Sequence, residues 1–275
     1  MTKIQILPVT PTIGAEVKGV DLLTALSEDE VEVLRKALLE HLVLFFRDQD
    51  IGPEQQVAFA QQFGEISVPP ILPESGIQPE VMILDQTSPK DQGADNWHSD
   101  NTFMEEPPKA AILKATRLPN VGGDTLFASA EAAFEALSPP MQKMLSKLTA
   151  VHDITKPLRT AAAAGLTNFD IEALSKQWPA VEHPVVRTHP ITGRKGLYVN
   201  RNSTVALKGL TQAEGELLLP FLCDHIRSPE FQCRLRWDLN TVAFWDNCSV
   251  QHFAVPDYNE RRIMQRVTLA GDKPF

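Results

Sequence analysis

The chain has 275 residues, 43% hydrophobic and 22% charged, which are the proportions of a soluble globular protein with a sizeable core. Its formal net charge of −9 argues against a nucleic-acid-binding surface and against docking to an anionic membrane, and leaves room for a local basic site that holds a small anion. The three cysteines form no C-x-x-C, the N-terminus lacks a signal-peptide apolar stretch, and no run nears the roughly 18 apolar residues of a membrane span, so a cytoplasmic, reduced protein is expected.

Lys3–Leu7 alternates like an edge strand. Ser27-Glu28-Asp29-Glu30 reads as a capping box, and Val31, Leu34, Leu38 and Leu39 follow at helical spacing. Leu42–Phe46 is a short apolar run that predicts a buried strand. A second helix follows Pro53, with Phe59 and Phe63 on one side of it and Gly64 as its stop. Ile66–Pro79 and Asp91–Asp95 read as loops. Strands are predicted at Val81–Leu84, at Ala110–Ala115 and after the turn Gly122-Gly123-Asp124-Thr125. Helices are expected at 129–136 and 138–147, the latter opened by Ser138-Pro139-Pro140. The irregular stretch from Thr155 to Glu182 holds the run Ala161–Ala164 and one helix near 169–177. Long irregular text of this kind often forms a lid or binding loop, so a lid insertion at 155–182 is expected. The last third predicts strands at Val185–Thr188, Leu197–Val199, Phe231–Trp237, Thr241–Trp245 and Ile263–Leu269, around a helix at 211–226. No repeat or linker divides the chain. A single domain spanning 1–275, mainly β with flanking helices in a double-stranded β-helix (jelly roll), fits this order.

Three places carry chemistry. His98 and Asp100 are two apart, and on an extended strand such residues share a face. An imidazole beside a carboxylate is two-thirds of a facial triad for a divalent metal; His252 is the candidate third ligand, on a strand folded back beside the first. On the final strand Arg262, Met264, Arg266 and Thr268 share one face, opposite Ile263, Val267 and Leu269. Two guanidiniums on one face either pair with surface carboxylates or fork onto two anions. His152, His183 and His189 have no partner at ligand spacing and read as structural. Trp97 and Trp245 either pack beneath the metal strands or stack on substrate. Asn247 either orients His252 or forms a turn, Phe103 and Met264 line a pocket or a core, and Cys248 packs.

The chain resembles the taurine dioxygenase (TauD/TfdA) family. The matching text is Asn96-Trp97-His98-Ser99-Asp100, Gly122-Gly123-Asp124-Thr125, Trp245-Asp246-Asn247, Gln251-His252, Arg261–Arg266, the tail Gly271–Phe275 and the opening Gly14–Leu22. The resemblance covers nearly the whole chain in order. It implies an Fe(II)- and 2-oxoglutarate-dependent dioxygenase. In that reading His98, Asp100 and His252 bind Fe(II), and Arg262 and Thr125 hold the distal carboxylate of 2-oxoglutarate. Arg266, helped by the backbone N–H of Asn101, grips an anionic substrate. O2 is the oxidant, and succinate and CO2 are released. A homo-oligomer is expected, with neither nucleic acid nor membrane as a partner.

Taurine-specific members carry a His and a Tyr after the Phe-Gly-Glu turn, an Asn where Ala94 aligns and a Ser where Pro157 aligns. This chain has Phe63-Gly64-Glu65 followed by Ile66-Ser67-Val68-Pro69-Pro70-Ile71-Leu72. The groups that hold taurine's amine are thus missing, and an unpartnered ammonium is costly to bury. The expected substrate is a small anion with an uncharged, apolar or aromatic body, such as an alkyl sulfonate, an alkyl sulfate or an aryloxyalkanoate, hydroxylated next to the heteroatom. The competing readings are a zinc hydrolase with the same three ligands, which needs a base that the sequence does not reveal, and a non-catalytic jelly-roll binding protein.

Overall fold

Strand Arg262–Leu269 pairs with Ala110–Arg117 on one side and with Met82–Gln86 and Ile66–Ser67 on the other. The computed structural model describes residues 4–68, 79–87, 96–163, 165 and 170–275. Among these, an eight-stranded sheet runs in the order Gln5–Pro8, Ala15–Lys18, Val43–Phe46, Val242–Asp246, Ala110–Arg117, Arg262–Leu269, Ile66–Ser67, with Met82–Gln86 also pairing along Arg262–Leu269. Ala15–Lys18 and Val43–Phe46 pair parallel; the other neighbours are antiparallel. A second sheet, Gln232–Leu235, Thr125–Ser129 and Val250–Ala254, faces it. Two packed sheets with helices outside them make the expected jelly roll.

Side-chain alternation sorts the residues into layers. Val43 and Phe45, Ala111 and Leu113, Ala243 and Trp245, and Met264 point between the sheets, where they meet Phe127, Leu235 and Val250. Their neighbours Leu44 and Phe46, Ala110 and Ile112, Val242 and Phe244, with Val267 and Leu269, point outward against Leu34 and Leu38 of helix Glu28–His41 and Phe59 of helix Pro53–Gln61. Phe59, Phe63 and Phe244 pack edge-on there, with ring centroids 4.9–5.9 Å apart. Each such pair contributes about 0.5–1.5 kcal/mol beyond its buried area. A third apolar layer lies on the far side of the smaller sheet, where helix Gln212–Ile226 buries Leu222, Cys223 and Ile226 against Ala128 and Phe134.

The local signals hold where they are chemically specific. Ser27 and Glu30 form the capping box, Ser138 precedes helix Pro139–Leu145, and Thr211 and Glu214 cap Gln212–Ile226. Departures occur where pairing is non-local. Ile66–Ser67 is a strand, not loop, because it pairs with Thr268–Leu269; residues 69–78 and 88–95 lie outside the described residues, and with them Asp91–Asp95. Ala15–Lys18, Thr149–His152, Val181–Pro184 and Thr204–Lys208 are strands that short, weakly alternating text did not announce. Ala161–Ala163 ends a helix, Thr155–Ala163, so the alanine run is helical rather than loose chain up to Ala164, which is not described. No helix among the described residues is long and apolar enough to cross a membrane.

Candidate active site

His98 and His252, 154 positions apart by subtraction, are joined through their backbones. His98 N–H donates to the His252 carbonyl at 3.1 Å, and His252 N–H donates back at 2.8 Å. The two ring centroids lie 4.2 Å apart. His252 belongs to strand Val250–Ala254 and pairs with Phe127 on its other side. Ser99 hooks the same strand through a 2.7 Å hydrogen bond to the Val250 carbonyl. The bridge is one residue long. Asp100 sits in the turn that follows, and Asn101 adopts a left-handed φ of 52°. The shared strand face expected for His98 and Asp100 is therefore replaced by a bridge and a turn. Asn247 shapes that turn: its Oδ1 accepts from Asp100 N–H at 2.7 Å, and its Nδ2 donates to the carbonyls of Asp100 at 3.0 Å and Pro108 at 2.8 Å. Asn247 thus positions Asp100, not His252.

The result is three buried donors on one point. Asp100 Oδ1 lies 3.7 Å from His98 Nε2 and 3.9 Å from His252 Nε2. His98 Nδ1 lies 2.7 Å from the Asn96 carbonyl, which only accepts, so Nδ1 carries the ring proton and Nε2 keeps a lone pair. Trp245 packs under His252 with centroids 4.9 Å apart, while Trp97 stacks on Phe253 and stays in the core. Burial opposes ionisation of Asp100, but Arg266, His252 and His98 together outweigh it and hold the carboxyl far below the usual carboxylate range. Burial, with His98 beside it, pulls His252 down to about 3, so its imidazole is neutral and able to coordinate.

Both arginines of the terminal strand face inward. Arg266 Nη1 donates to Asp100 Oδ1 at 2.8 Å, the same oxygen that faces the two imidazoles, and its Nη2 lies 3.2 Å from Met82 Sδ. Arg262 is 4% exposed; its Nε and Nη2 are buried and make no hydrogen bond among the described residues. Burial pulls its pKa below the guanidinium range, opposed by Tyr258 and Asp124. A buried guanidinium with free N–H groups is a costly arrangement that an anion relieves. His98, Asp100, His252, Arg262, Arg266, Thr125 and Asn101 line one cavity of about 270 Å3. Leu84, Phe103, Leu113, Pro157, Trp245 and Ala254 give it apolar walls, and Met264 goes to the core between the sheets. Asn202 and Ser203 also line it. They sit in the turn before strand Thr204–Lys208, a strand that the sequence does not announce.

The remaining histidines are structural. His152 and His183 are buried around Thr102, His152 Nδ1 at 3.0 Å from its hydroxyl and His183 Nε2 at 3.0 Å from its carbonyl. His189, Asp246 and Cys248 form a second buried group of donor atoms lying within 4.8 Å of one another. His189 Nδ1 accepts the backbone N–H groups of Ile191 and Thr192, at 3.2 and 3.1 Å, so the ring proton is on Nε2, 2.9 Å from Asp246 Oδ2. A nitrogen that carries the proton offers no lone pair to a cation. Burial also pushes the Cys248 thiol well above its ordinary value, so it stays protonated.

Residues 5–268 match the family described as Taurine catabolism dioxygenase TauD, TfdA family. An alkylsulfatase of Acinetobacter baylyi is 36% identical over 276 residues, covering 98% of this chain and 86% of the relative. An alpha-ketoglutarate-dependent sulfate ester dioxygenase of Pseudomonas putida is 36% identical over 278 residues, covering 99% and 91%. Among solved structures, a taurine dioxygenase from Burkholderia xenovorans superposes with a TM-score of 0.85 at 37% identity, covering 98% of this chain and 90% of that one.

Proposed function

Because the chain belongs to the TauD, TfdA family and is a 2-oxoglutarate-dependent dioxygenase, we propose that its metal is Fe(II) and that it oxidises a small organic anion, foremost an alkyl sulfate ester. The observation that carries the reading is the meeting of two geometries in one cavity. Two imidazole nitrogens face a single carboxylate oxygen, and a buried, unsatisfied guanidinium faces the same space. A neutral His252, a His98 tautomer fixed by the Asn96 carbonyl, and an ionised Asp100 fit a divalent cation. Arg262 and the Thr125 hydroxyl fit the distal carboxylate of 2-oxoglutarate. When bound there, Fe(II) with 2-oxoglutarate and O2 supplies the oxidation, in which the cosubstrate ends as succinate and CO2 and one oxygen atom enters a substrate C–H bond.

The chain's own residues orient the partners and exclude water. Asn247 and Ser99 fix the ligand turn. Arg266, already on Asp100, offers its remaining N–H groups to the substrate's anionic head, beside the Asn101 N–H. Leu84, Phe103, Leu113 and Pro157 surround an uncharged body. Asp100 is the one carboxylate among the described cavity-lining residues and is already paired with Arg266, so an ammonium finds no partner. Ala94 and Pro69–Leu72, which align with taurine-specific groups, lie outside the described residues; Pro157 lines the cavity as an apolar group. Helices Thr155–Ala163 and Ile171–Gln177 bring Leu158 and Trp178 against Phe103, which supports a covering role for the 155–182 segment.

The two relatives named for sulfate esters support that head group. Hydroxylating the carbon that bears the ester oxygen gives a geminal hydroxy sulfate, which collapses to an aldehyde, sulfate and a proton. The test is product analysis with an alkyl sulfate. Aldehyde, sulfate and succinate should appear in equal amounts and only with O2 and 2-oxoglutarate present. A zinc hydrolase would instead release the alcohol without either, and taurine turnover matching that of alkyl sulfates would overturn the substrate class.

A further inference from the structure

Trp237 follows strand Gln232–Leu235 and is 6% exposed. Its indole touches both groups assigned above to the distal carboxylate. On one side, Nε1 donates to Thr125 Oγ1 at 3.0 Å. An indole N–H can only donate, so the threonine oxygen is occupied as an acceptor and the hydroxyl keeps its own proton to give. On the other side, the guanidinium carbon of Arg262 lies 5.9 Å from the Trp237 ring centroid and 5.9 Å from that of Tyr258. The indole face holds a guanidinium without using its N–H groups; Tyr258 also hydrogen-bonds Arg262, and Arg262 Nε and Nη2 are left unpaired. Behind it Gly123 stands at φ +75°, where an added Cβ would come within 3.2 Å of Arg262 Cδ and Nε.

We propose that Trp237 is the positioning residue of the 2-oxoglutarate site: it aims the Thr125 hydroxyl proton and backs the Arg262 guanidinium, so that both donors face the distal carboxylate before it arrives. This rests on the 2-oxoglutarate reading above. Preorganised donors spare the ligand the cost of ordering them. Trp237→Phe keeps a ring against Arg262 and removes the N–H, which frees the threonine hydroxyl to rotate.

The test is anaerobic calorimetric titration of the Mn(II)-loaded protein with 2-oxoglutarate, as a cycle of Trp237→Phe and Thr125→Val. Trp237→Phe should weaken binding about three- to tenfold in the wild type and less than about twofold in the Thr125→Val background, because its N–H works through that hydroxyl. Equal losses in both backgrounds would mean a merely structural role and overturn the proposal, as would no loss in the wild type. If the wild type does not bind 2-oxoglutarate, the site reading fails instead. Should Trp237→Phe not fold, the unaltered indole serves: in Zn(II)-loaded protein, the indole N–H resonance displaced by Thr125→Val should shift when 2-oxoglutarate is added. An unmoved resonance with the ligand bound would overturn the proposal.

Discussion

His98, Asp100 and His252 on the one hand, and His189, Asp246 and Cys248 on the other, each bring three buried donor atoms within 4.8 Å of one another. The two groups differ at the histidine nitrogen that faces away. At His98 it meets the carbonyl of Asn96 and must donate; at His189 it meets two backbone N–H groups and must accept. The first leaves the lone pair on the nitrogen 3.7 Å from Asp100 Oδ1, and the second leaves the proton on the nitrogen nearest Asp246. Proximity of donor types is thus insufficient for a metal site, because the backbone around each imidazole selects the tautomer and with it the function. The second group instead serves structure: one oxygen of Asp246 lies 2.9 Å from His189 Nε2, and the other accepts the Cys248 N–H at 2.8 Å, in the turn that carries Asn247 toward Asp100.

The comparison breaks most readily at the ligands. His98→Ala should abolish metal binding and lower turnover by about a thousandfold or more, measured by metal analysis after dialysis and by succinate release. The wild type should hold one divalent ion, and a second ion lost in Cys248→Ala would end the distinction. Next in size, Arg262→Met should raise the Kd for 2-oxoglutarate about a hundredfold while metal content stays at one, because a buried charge partner is removed. Asn247→Ala should weaken Mn(II) binding about thirtyfold by calorimetry, as Asp100 loses two hydrogen bonds and the Pro108 carbonyl a third. His189→Ala should leave metal content unchanged and lower unfolding stability by about 2 kcal/mol in urea.

An effect of similar size is expected on pH. Burial pulls His152 down to about 3, against 6.5 for a free imidazole. As pH falls below 6.5 the unfolded chain binds the proton first, so the stability from the neutral ring is complete above 6.5 and drains away as pH drops toward 3. The metal-free protein should lose about 2 kcal/mol between pH 7 and 5 through this ring. His183, lowered mainly by burial, adds in the same direction. His152→Gln should flatten the urea-midpoint profile over that window. An unchanged slope would show that His152 is protonated in the fold.

Legibility followed the range of the interactions involved. The capping box at Ser27, the Ser138-Pro139 start and the alternation of Arg262–Leu269 are local stereochemistry and read straight from the text. Strand Ile66–Ser67 did not, since two residues carry no periodicity and only their pairing with Thr268–Leu269 makes them a strand. The same holds for the site. The ligand types were visible in His98-Ser99-Asp100 and Gln251-His252, and the inward arginines in the final strand. Asn247's hold on Asp100, and the apolar wall that Pro157 adds, rest on contacts that no neighbouring residue announces.

By itself, then, the order of residues determined the donor set, the two guanidiniums on one strand face and the jelly-roll class. Tertiary structure alone decided that Asp100 meets both imidazoles, that Arg266 shares the oxygen that faces them, and that Trp237 stands between Thr125 and Arg262. Chemical identity resides in each side chain. The tautomers of His98 and His189 are set by backbone groups two or three residues away, but the side-chain partners of Asp100 and Thr125 lie more than a hundred residues away and become neighbours only when the two sheets close.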